Sequence, residues 1–487
     1  MDNTVETLSI EGLRGFAECQ ELKLAVPTDN KPGSGLTILV GPNNGGKSTI
    51  TEALDAVFRS RPVSFSEGKR NKGAGDRISL RLKFTSGGTS ELCTVPTGGS
   101  QTHRPNGETP PNACFYLPSR RRFNPYFGSS RETRDSYTVN QANTLQGTRN
   151  TPLDGFSGRL FKVQQNIEDF NKVMKQVVNP VPEWTIEQSD QGQHYVKLDA
   201  GEHHHSSDGL GDGIVSLLFI VDALYDSKPD QLIVIDEPEL SLHPAFQRRL
   251  AHLFAEYAKD RQIVYATHSP HFVDFKYVVN GAQVARVHKA NHRCVVSHLS
   301  SETAKSVGRL LRDDHNPHTL GLDAREALFR EDGVIVVEGQ EDVIFYPKIL
   351  DQLADRNHLS RCLAEEIRDR LFGWGAGGAG KVRTLLALFR DLGFAQVAAI
   401  LDGDQRDLMS ELQQDFPQYD IHAIPADDVR SKRPRAAQGA TCGLLDADRQ
   451  LKPDFENELA ELFSSLPNPG LPESTVTETP CSISTKP

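Results

Sequence analysis

The amino-acid sequence predicts an α/β protein, and three observations carry that prediction. Short apolar, mostly β-branched runs occur at Leu36–Val40, Leu232–Ile235, Ile263–Ala266, Val334–Val337 and Val397–Leu401. The stretches between them show helical periodicity, the pattern of parallel strands joined by crossover helices. Several runs end on Asp, Glu or His, the edge at which open α/β sheets place their ligands. The composition is that of a globular chain, 37% hydrophobic and 24% charged, which excludes a wholly disordered or fibrous protein.

The chain has 487 residues, enough for roughly three domains. Against 54 Lys and Arg stand 65 Asp and Glu, a net charge of −11 that ordinarily argues against a nucleic-acid partner. No apolar run of membrane-spanning length occurs, and Met1–Leu13 carries Asp2, Glu6 and Glu11 where a signal peptide carries cations and an apolar stretch. A cytoplasmic protein with no membrane partner is the expectation. The seven cysteines form no CxxC pair, so neither a disulfide framework nor a zinc ribbon is expected. Polar stretches at Thr85–Asn112 and Arg120–Asn150 predict loops within an insertion at about residues 85–200. The Pro/Ser/Thr-rich tail after Leu466 predicts disorder.

Residues 41–48 read Gly-Pro-Asn-Asn-Gly-Gly-Lys-Ser, a complete phosphate-loop pattern. An apolar strand precedes it, and Ile50, Leu54, Val57 and Phe58 recur on one face of a following helix. In such a loop, glycines let backbone N–H groups turn towards phosphate oxygens, and the helix dipole favours the anion. Asn43, Asn44, Gly45, Gly46, Lys47, Ser48 and Thr49 are the candidate nucleotide contacts. Lys47 would reach the β- and γ-phosphates, and the Ser48 hydroxyl would ligate Mg²⁺. Residues 375–381, Gly-Ala-Gly-Gly-Ala-Gly-Lys, imitate the pattern, but Val382 has no oxygen for a metal and no apolar strand precedes it, so a loop into a helix is expected.

Leu232–Ile235 delivers Asp236 and Glu237 at its end, the first for the Mg²⁺ shell and the second to orient or deprotonate the attacking water. His268 follows the run Ile263–Ala266. The consecutive His203, His204 and His205 predict a solvated loop rather than a metal site. His288, His292, Cys294 and His298 make a better metal pattern, but the alternation around them favours a plain hairpin.

In this order the motifs resemble the ATP-binding-cassette (ABC) ATPases, in the branch shared with chromosome-maintenance and DNA-repair ATPases. Ile10–Phe16 is similar to that branch's first strand and turn. Ser206–Gly213 occupies the place of the signature motif, with Ser207 and Gly209 as its nucleotide contacts, although it departs from the usual Ser-Gly-Gly-Gln. Ser241-Leu-His-Pro244 resembles the loop linking the two sites of such a pair. The resemblance implies a head-to-head dimer sharing ATP, with His268 as the switch that senses the γ-phosphate.

A second chemistry begins where Val334–Val337 ends in Glu338, with Gly339, Glu341 and Asp342 opening a helix, and where Val397–Leu401 ends in Asp402 and Asp404. Two strands releasing carboxylates at the same edge bring hard oxygen ligands together, the donor set of Mg²⁺ or Mn²⁺. Paired cations of this kind stabilise both oxygens of a phosphodiester displacement. Glu-Gly on one strand and Asp-x-Asp on another resemble the Toprim domain of topoisomerases, primases and certain nucleases, over about residues 331–465. An ABC-type ATPase head followed by a Rossmann-like Toprim domain resembles the OLD (overcoming lysogenisation defect) family of ATP-dependent nucleases, which includes the Gabija nuclease and retron-associated members. That resemblance implies domains at 1–330 and 331–465, followed by the tail 466–487. Glu338, Asp342, Asp402 and Asp404 become metal ligands, with Asp427 or Asp428 for a second metal and Lys432 or Lys452 for charge stabilisation at the scissile phosphate. ATP and Mg²⁺ are the implied cofactors, with Mn²⁺ or Ca²⁺ substituting or modulating. DNA and a second copy of the chain are the implied partners, as a dimer or tetramer, with a helicase or a reverse transcriptase and its retron DNA as further candidates.

Two basic clusters would offset the acidic total at DNA: Arg120–Arg122 with Phe123, Tyr126, Phe127, Arg131 and Arg134, and Arg430 with Lys432, Arg433 and Arg435. The expected function is an ATP-dependent, metal-dependent DNA endonuclease in anti-phage defence. The rivals are a sensor or scaffold that binds without cutting, and a transporter's ATPase subunit.

Overall fold

The computed structural model describes residues 4–28, 30–95, 99–105, 109–111, 113–119, 128–129, 131–136, 155–200, 203–206, 211–229, 231–314, 321–331, 333–432 and 441–466. Two compact units emerge: Met1–Glu331 with Arg390–Gly393, and Asp332–Phe389 with Phe394–Pro487. Among the described residues no helix is long and apolar enough to cross a membrane.

The strands of the first unit are β1 (Val5–Glu11), β2 (Gln20–Lys23), β3 (Leu36–Val40), β4 (Ser79–Phe84), β5 (Thr89–Thr94), β6 (Thr102–His103), β7 (Cys114–Leu117), β8 (Glu183–Gln188), β9 (His194–Ala200), β10 (His203–Ser206), β11 (Leu232–Asp236), β12 (Gln262–Ala266), β13 (Gln283–Ala290) and β14 (Arg293–His298). A six-stranded sheet runs β14-β13-β3-β12-β11-β7, parallel except for the β13–β14 hairpin. β3, β11 and β12 are buried along their whole length, as continuous apolar runs in a covered parallel sheet should be. An antiparallel sheet runs β2-β1-β4-β5-β6. β4 alternates exposed and buried positions through Leu80, Leu82 and Phe84, the mark of one covered face.

The helix Lys47–Phe58 joins these layers, and its Ile50, Ala53, Leu54 and Val57 are fully buried in one core with residues of both sheets. Truncating Leu54 to Ala there would cost about 2–5 kcal/mol. Its face matches the sequence periodicity except that Phe58 is only partly buried.

The insertion is shorter than its composition suggests. Residues 89–94 and 102–103 are strands of the antiparallel sheet, and Cys114–Leu117 pairs in parallel with β11 through Ile233 and Phe115. The boundary at about residue 85 is therefore corrected to one after β7. Polar Thr, Ser and Gly residues there mark a hairpin whose buried face needs only Ser90, Leu92 and Thr94. Beyond β7 lies an antiparallel three-stranded sheet, β10-β9-β8. His203–Ser206 pair with Ala200–Lys197, so the three histidines form a strand, not the expected loop.

The helix Asp212–Tyr225 is anchored to this inserted part by a buried ion network. Arg159 Nε donates to Asp222 Oδ1 at 2.8 Å, with both side chains 1% exposed, and Arg134 and Arg159 both pair with Asp226. Arg134 thus leaves the proposed DNA-facing cluster. Its guanidinium is committed to this helix, because a buried cation has to be paired. Arg131 is exposed, and the rest of that cluster, residues 120–127, lies outside the described residues.

The second unit contains β15 (Val334–Val337), β16 (Val397–Leu401) and β17 (Asp420–Ala423), all parallel in the order β15-β16-β17, with β18 (Asp428–Arg430) and β19 (Gly443–Leu445) as a separate parallel pair. Its core gathers Ile335, Val337, Ala398 and Ile400 of the sheet with Tyr346, Ile349 and Leu353 of the helix Gln340–Asp355. The predicted disordered tail lies outside the described residues from 467 onward.

Candidate functional site

Sheet register assembles the first site. Leu39 of β3 pairs with Ala266 of β12, which pairs with Asp236 of β11. Parallel strands end together, so the phosphate loop, the Asp236–Glu237 pair and His268 emerge at one edge. The Ser48 hydroxyl donates to Asp236 Oδ1 at 3.0 Å, the pairing expected of two groups that share a cation shell. Lys47 is buried and donates to the Gly41 and Pro42 carbonyls at 2.7 and 2.8 Å. Burial pulls its ammonium down to about 8, against the pull of Asp236, Glu239 and Glu237. His268 Nδ1 lies 3.4 Å from Lys47 Nζ and its Nε2 lies 4.0 Å from Glu237. Burial first, then the Lys47 charge, push the imidazole down to about 4, so it is neutral at ordinary pH.

The backbone here is held in unusual conformations. Arg14, Asn44, Glu237 and Ser241 all have positive φ, between 49° and 61°, and none is glycine. Left-handed non-glycine residues persist only where the surroundings over-determine them, and they collect at functional sites. At Gly45 a Cβ would collide with the Val287 carbonyl of β13, which is why this loop position excludes a side chain.

A pocket of about 420 Å³ is lined by Asn43 to Thr49, Glu237 and His268, and also by Arg14, Gly15, Lys289 and Cys294. The last four were not legible as site residues. Arg14 reaches Glu52 at 2.7 Å from the turn after β1, and its signal was the Gly-Leu-Arg-Gly sequence itself. Glu239 was also missed, although it belongs to the Asp-Glu-Pro-Glu motif. It accepts from Thr267 Oγ1 at 2.8 Å and from the His268 N–H at 2.5 Å, so it sets the position of His268. Ser207 and Gly209 lie outside the described residues. The hairpin expected for His288 to His298 is present, and His288 Nε2 meets Ser297 Oγ at 3.1 Å.

The second site is a cluster of acids in the C-terminal unit. Val337 of β15 pairs with Ile400 of β16, so Glu338 and Asp402 leave adjacent strands side by side, and Glu338 Oε1 accepts the Asp402 N–H at 2.8 Å. Asp342 caps its own helix by accepting the Gly339 N–H at 2.8 Å. Asp428 on β18 is buried and paired with Lys432, which also lies 3.4 Å from Glu341. Burial, then Asp342, Glu338, Asp428 and Asp404, raise the Asp402 carboxyl to about 9. Burial, then Glu338 and Asp428, raise Asp342 to about 7 despite the Gly339 N–H. Asp404 is exposed and linked to Gln405 at 2.9 Å.

Among the described residues no three such side chains converge closely enough to enclose an ion as they stand. Asp402 Oδ1 is nevertheless buried without a hydrogen-bonding partner, and the donors are hard carboxylate oxygens, so the set fits a divalent cation. Asp427, by contrast, is exposed and accepts from the Cys442 N–H, which leaves Asp428 as the acid of the pair that faces the cluster. Lys452 is bound to the Gly443 carbonyl at 2.6 Å, leaving Lys432 nearer the acids. Arg433 and Arg435 lie outside the described residues. The Gly-rich stretch 375–381 forms no strand-loop-helix. Its Ala376 and Gly378 N–H groups bond the Val337 and Glu338 carbonyls, so it braces the acidic turn from the side.

Two family models of AAA domains each match part of the chain. A family model described as "AAA domain" matches residues 7–180, and one described as "AAA domain, putative AbiEii toxin, Type IV TA system" matches residues 159–274. The chain is 26% identical over 169 residues to Endonuclease GajA of Bacillus cereus, covering 34% of this chain and 27% of that protein. It is 32% identical over 125 residues to the OLD nuclease of Thermus scotoductus, covering 25% of this chain and 23% of that one. The chain thus spans about a quarter of the length of each curated relative it matches. The SMC head domain from Thermotoga maritima aligns with 61% of this chain and 99% of its own, at 19% identity and a TM-score of 0.34. The resemblance to the OLD-family nucleases read from the motifs stands in these relatives.

Proposed function

We propose that the chain is an ATP-binding and ATP-hydrolysing, divalent-metal-dependent DNA endonuclease of the OLD kind, acting in the cytoplasm in anti-phage defence. The observation that carries the reading is the presence on one chain of two separate phosphate chemistries. One is a phosphate loop whose Ser48 meets Asp236, and the other is a carboxylate cluster with an orphaned buried oxygen at Asp402. Residues 1–330 would form the ABC-type ATPase and 331–465 the Toprim nuclease.

In the ATPase, Lys47 and the loop N–H groups would bind the phosphates, Ser48 and Asp236 would hold the Mg²⁺ shell, Glu237 would orient water, and neutral His268 would sense the γ-phosphate. Ser207 and Gly209 of a second copy would complete the site, giving a head-to-head dimer or a tetramer. In the nuclease, Glu338, Asp402, Asp404 and Asp428 would hold Mg²⁺ or Mn²⁺, with Asp342 supporting the turn or joining them. Bound there, the ion would supply Lewis-acid stabilisation at the phosphoryl oxygens. Lys432 would place a cation at the scissile phosphate, and Arg430 would meet DNA beside it. A helicase, or a reverse transcriptase with its retron DNA, would be an accessory partner.

The test is cleavage of plasmid DNA with Mg²⁺ or Mn²⁺ by wild type, Asp402→Ala and Lys47→Ala. Asp402→Ala should be inactive and Lys47→Ala should lose ATP turnover. Equal cutting by Asp402→Ala would sink the nuclease assignment. A sensor that binds nucleic acid without cutting is the second reading, favoured by the lack of three converged carboxylates among the described residues. It predicts metal-independent binding and intact plasmid.

A further inference from the structure

Three cationic side chains from separate segments of the C-terminal unit converge on one aromatic ring. Lys348 Nζ lies 5.2 Å from the Phe345 ring centroid, Arg430 Cζ 5.4 Å and Arg449 Cζ 5.9 Å. They come from the helix Gln340–Asp355, from β18 and from the turn after β19. Phe345 is itself 6% exposed and packs in the unit's core, so the ring is a fixed platform.

One cation over a ring is ordinary packing, worth about 0.5–1 kcal/mol at an exposed site. Three are a different matter. Heads this close to a common point lie at most about 12 Å apart, so each pair repels by about 0.3–1.4 kcal/mol at effective dielectrics of roughly 80 down to 20. Summed over three pairs, that repulsion is comparable with the attraction of all three to the ring. Arg430 is relieved by its ion pair with Glu341, but among the described residues Lys348 and Arg449 have no carboxylate partner. Both are exposed. A local positive excess on an acidic chain is thus held together with little internal compensation.

We propose that Lys348, Arg430 and Arg449 form a binding site for a backbone phosphate of DNA, beside the acid cluster. The inference rests on the nuclease reading and deepens it by locating where the strand continues. Lys348 is six residues beyond Asp342 on the same helix, about 9 Å along its axis. A DNA strand advances about 3.4 Å of helix axis per phosphate. The bound phosphate is therefore a different one from the phosphate that is cut. The Arg449 guanidinium fork suits a phosphodiester's two free oxygens, Lys348 adds a point charge, and Arg430, whose Nε and Nη2 already donate to Glu341, adds its charge beside them.

The test is the salt dependence of duplex-DNA affinity, measured by fluorescence anisotropy with Mg²⁺ present on the full chain carrying Asp402→Ala. Adding Lys348→Ala and Arg449→Ala should make the slope of log K against log salt shallower by about 0.9, the loss of one phosphate contact. Lys348→Arg should restore part of it, and thermal unfolding should be unchanged. An unchanged slope overturns the site, whatever happens to affinity. Slope loss matched by a lowered unfolding temperature and no rescue by Lys348→Arg also overturns it, since that is the signature of a packing role. If plasmid cleavage survives Asp402→Ala, the nuclease reading fails separately. If the parent chain binds no duplex DNA at all, both fail.

Discussion

At the phosphate loop the acids are already answered: Asp236 accepts from the Ser48 hydroxyl and Glu239 from Thr267 and the His268 N–H. At the strand ends of the C-terminal unit they crowd one another, and Asp402 keeps a buried oxygen that no donor reaches. Burial and mutual repulsion lift Asp402 to about 9 and Asp342 to about 7. In the first arrangement Asp236 and Glu239 are each matched by donors of the chain itself. In the second the acids outnumber the cations beside them, and among the described residues Lys432 pairs with an acid of the cluster, Asp428. Acids matched by donors and acids that crowd one another should fail differently under mutation.

The largest expected effect is at the unbalanced site. Asp402→Ala should lower plasmid cleavage by about three orders of magnitude, since several kcal/mol of transition-state stabilisation at 1.36 kcal/mol per tenfold would be lost. It should leave ATP turnover intact, and parallel loss of both activities would dissolve the contrast between the sites. Lys47→Ala should act the other way, abolishing ATP hydrolysis in a phosphate-release assay while the metal affinity of the acid cluster, read by calorimetry, stays as it was.

Next comes a stability effect in the inserted part. Arg159→Ala strands the buried Asp222 carboxylate, while Arg134 still holds Asp226, and breaking a buried pair of this kind costs roughly 3–5 kcal/mol. Denaturant unfolding should register that loss in the midpoint. A shift under about 1 kcal/mol, the usual ceiling for an exposed pair, would show that the network is hydrated.

The smallest effect is on pH. Asp402 and Asp342 hold protons in the folded protein to about 9 and about 7, so a divalent cation must displace protons to bind. Proton competition weakens as pH rises, so Mg²⁺ affinity should increase from pH 6 to 9 with proton release. In metal-free protein the sign for stability is opposite. Between about pH 6.5, above which the depressed His268 no longer offsets them, and about pH 8, where the depressed Lys47 begins to, these two acids hold protons that the unfolded chain has lost, so stability should fall with rising pH across that window. Thermal unfolding with and without Mg²⁺ checks both, and a flat metal-free profile would contradict the crowding of the acids.

Much of the phosphate site was legible because its chemistry is written in contiguous residues. Gly41 to Thr49, Asp236, Glu237 and His268 each sit directly at a strand end, and a strand is the easiest element to recognise when both faces are buried. Arg14, Lys289 and Cys294 were not, because they reach the same pocket from a turn and a hairpin far away in sequence. The insertion boundary failed for a related reason: Thr89–Thr94 has the composition of a loop, and only pairing with β4 makes it a strand. Arg134 carried the composition of a DNA contact, and only the position of Asp222 and Asp226 turns it inward.

The sequence by itself determined the α/β class, the phosphate loop and the identity of the acids at the strand ends, since each depends on local periodicity or on neighbours a few residues away. Tertiary structure decided that Asp428 rather than Asp427 faces Glu338 and Asp402, and that Glu239 holds His268. It also decided that Lys348, Arg430 and Arg449 meet over one ring. Those outcomes depend on which segments the core brings together, and burial of apolar surface is non-directional, so no short window of sequence records them.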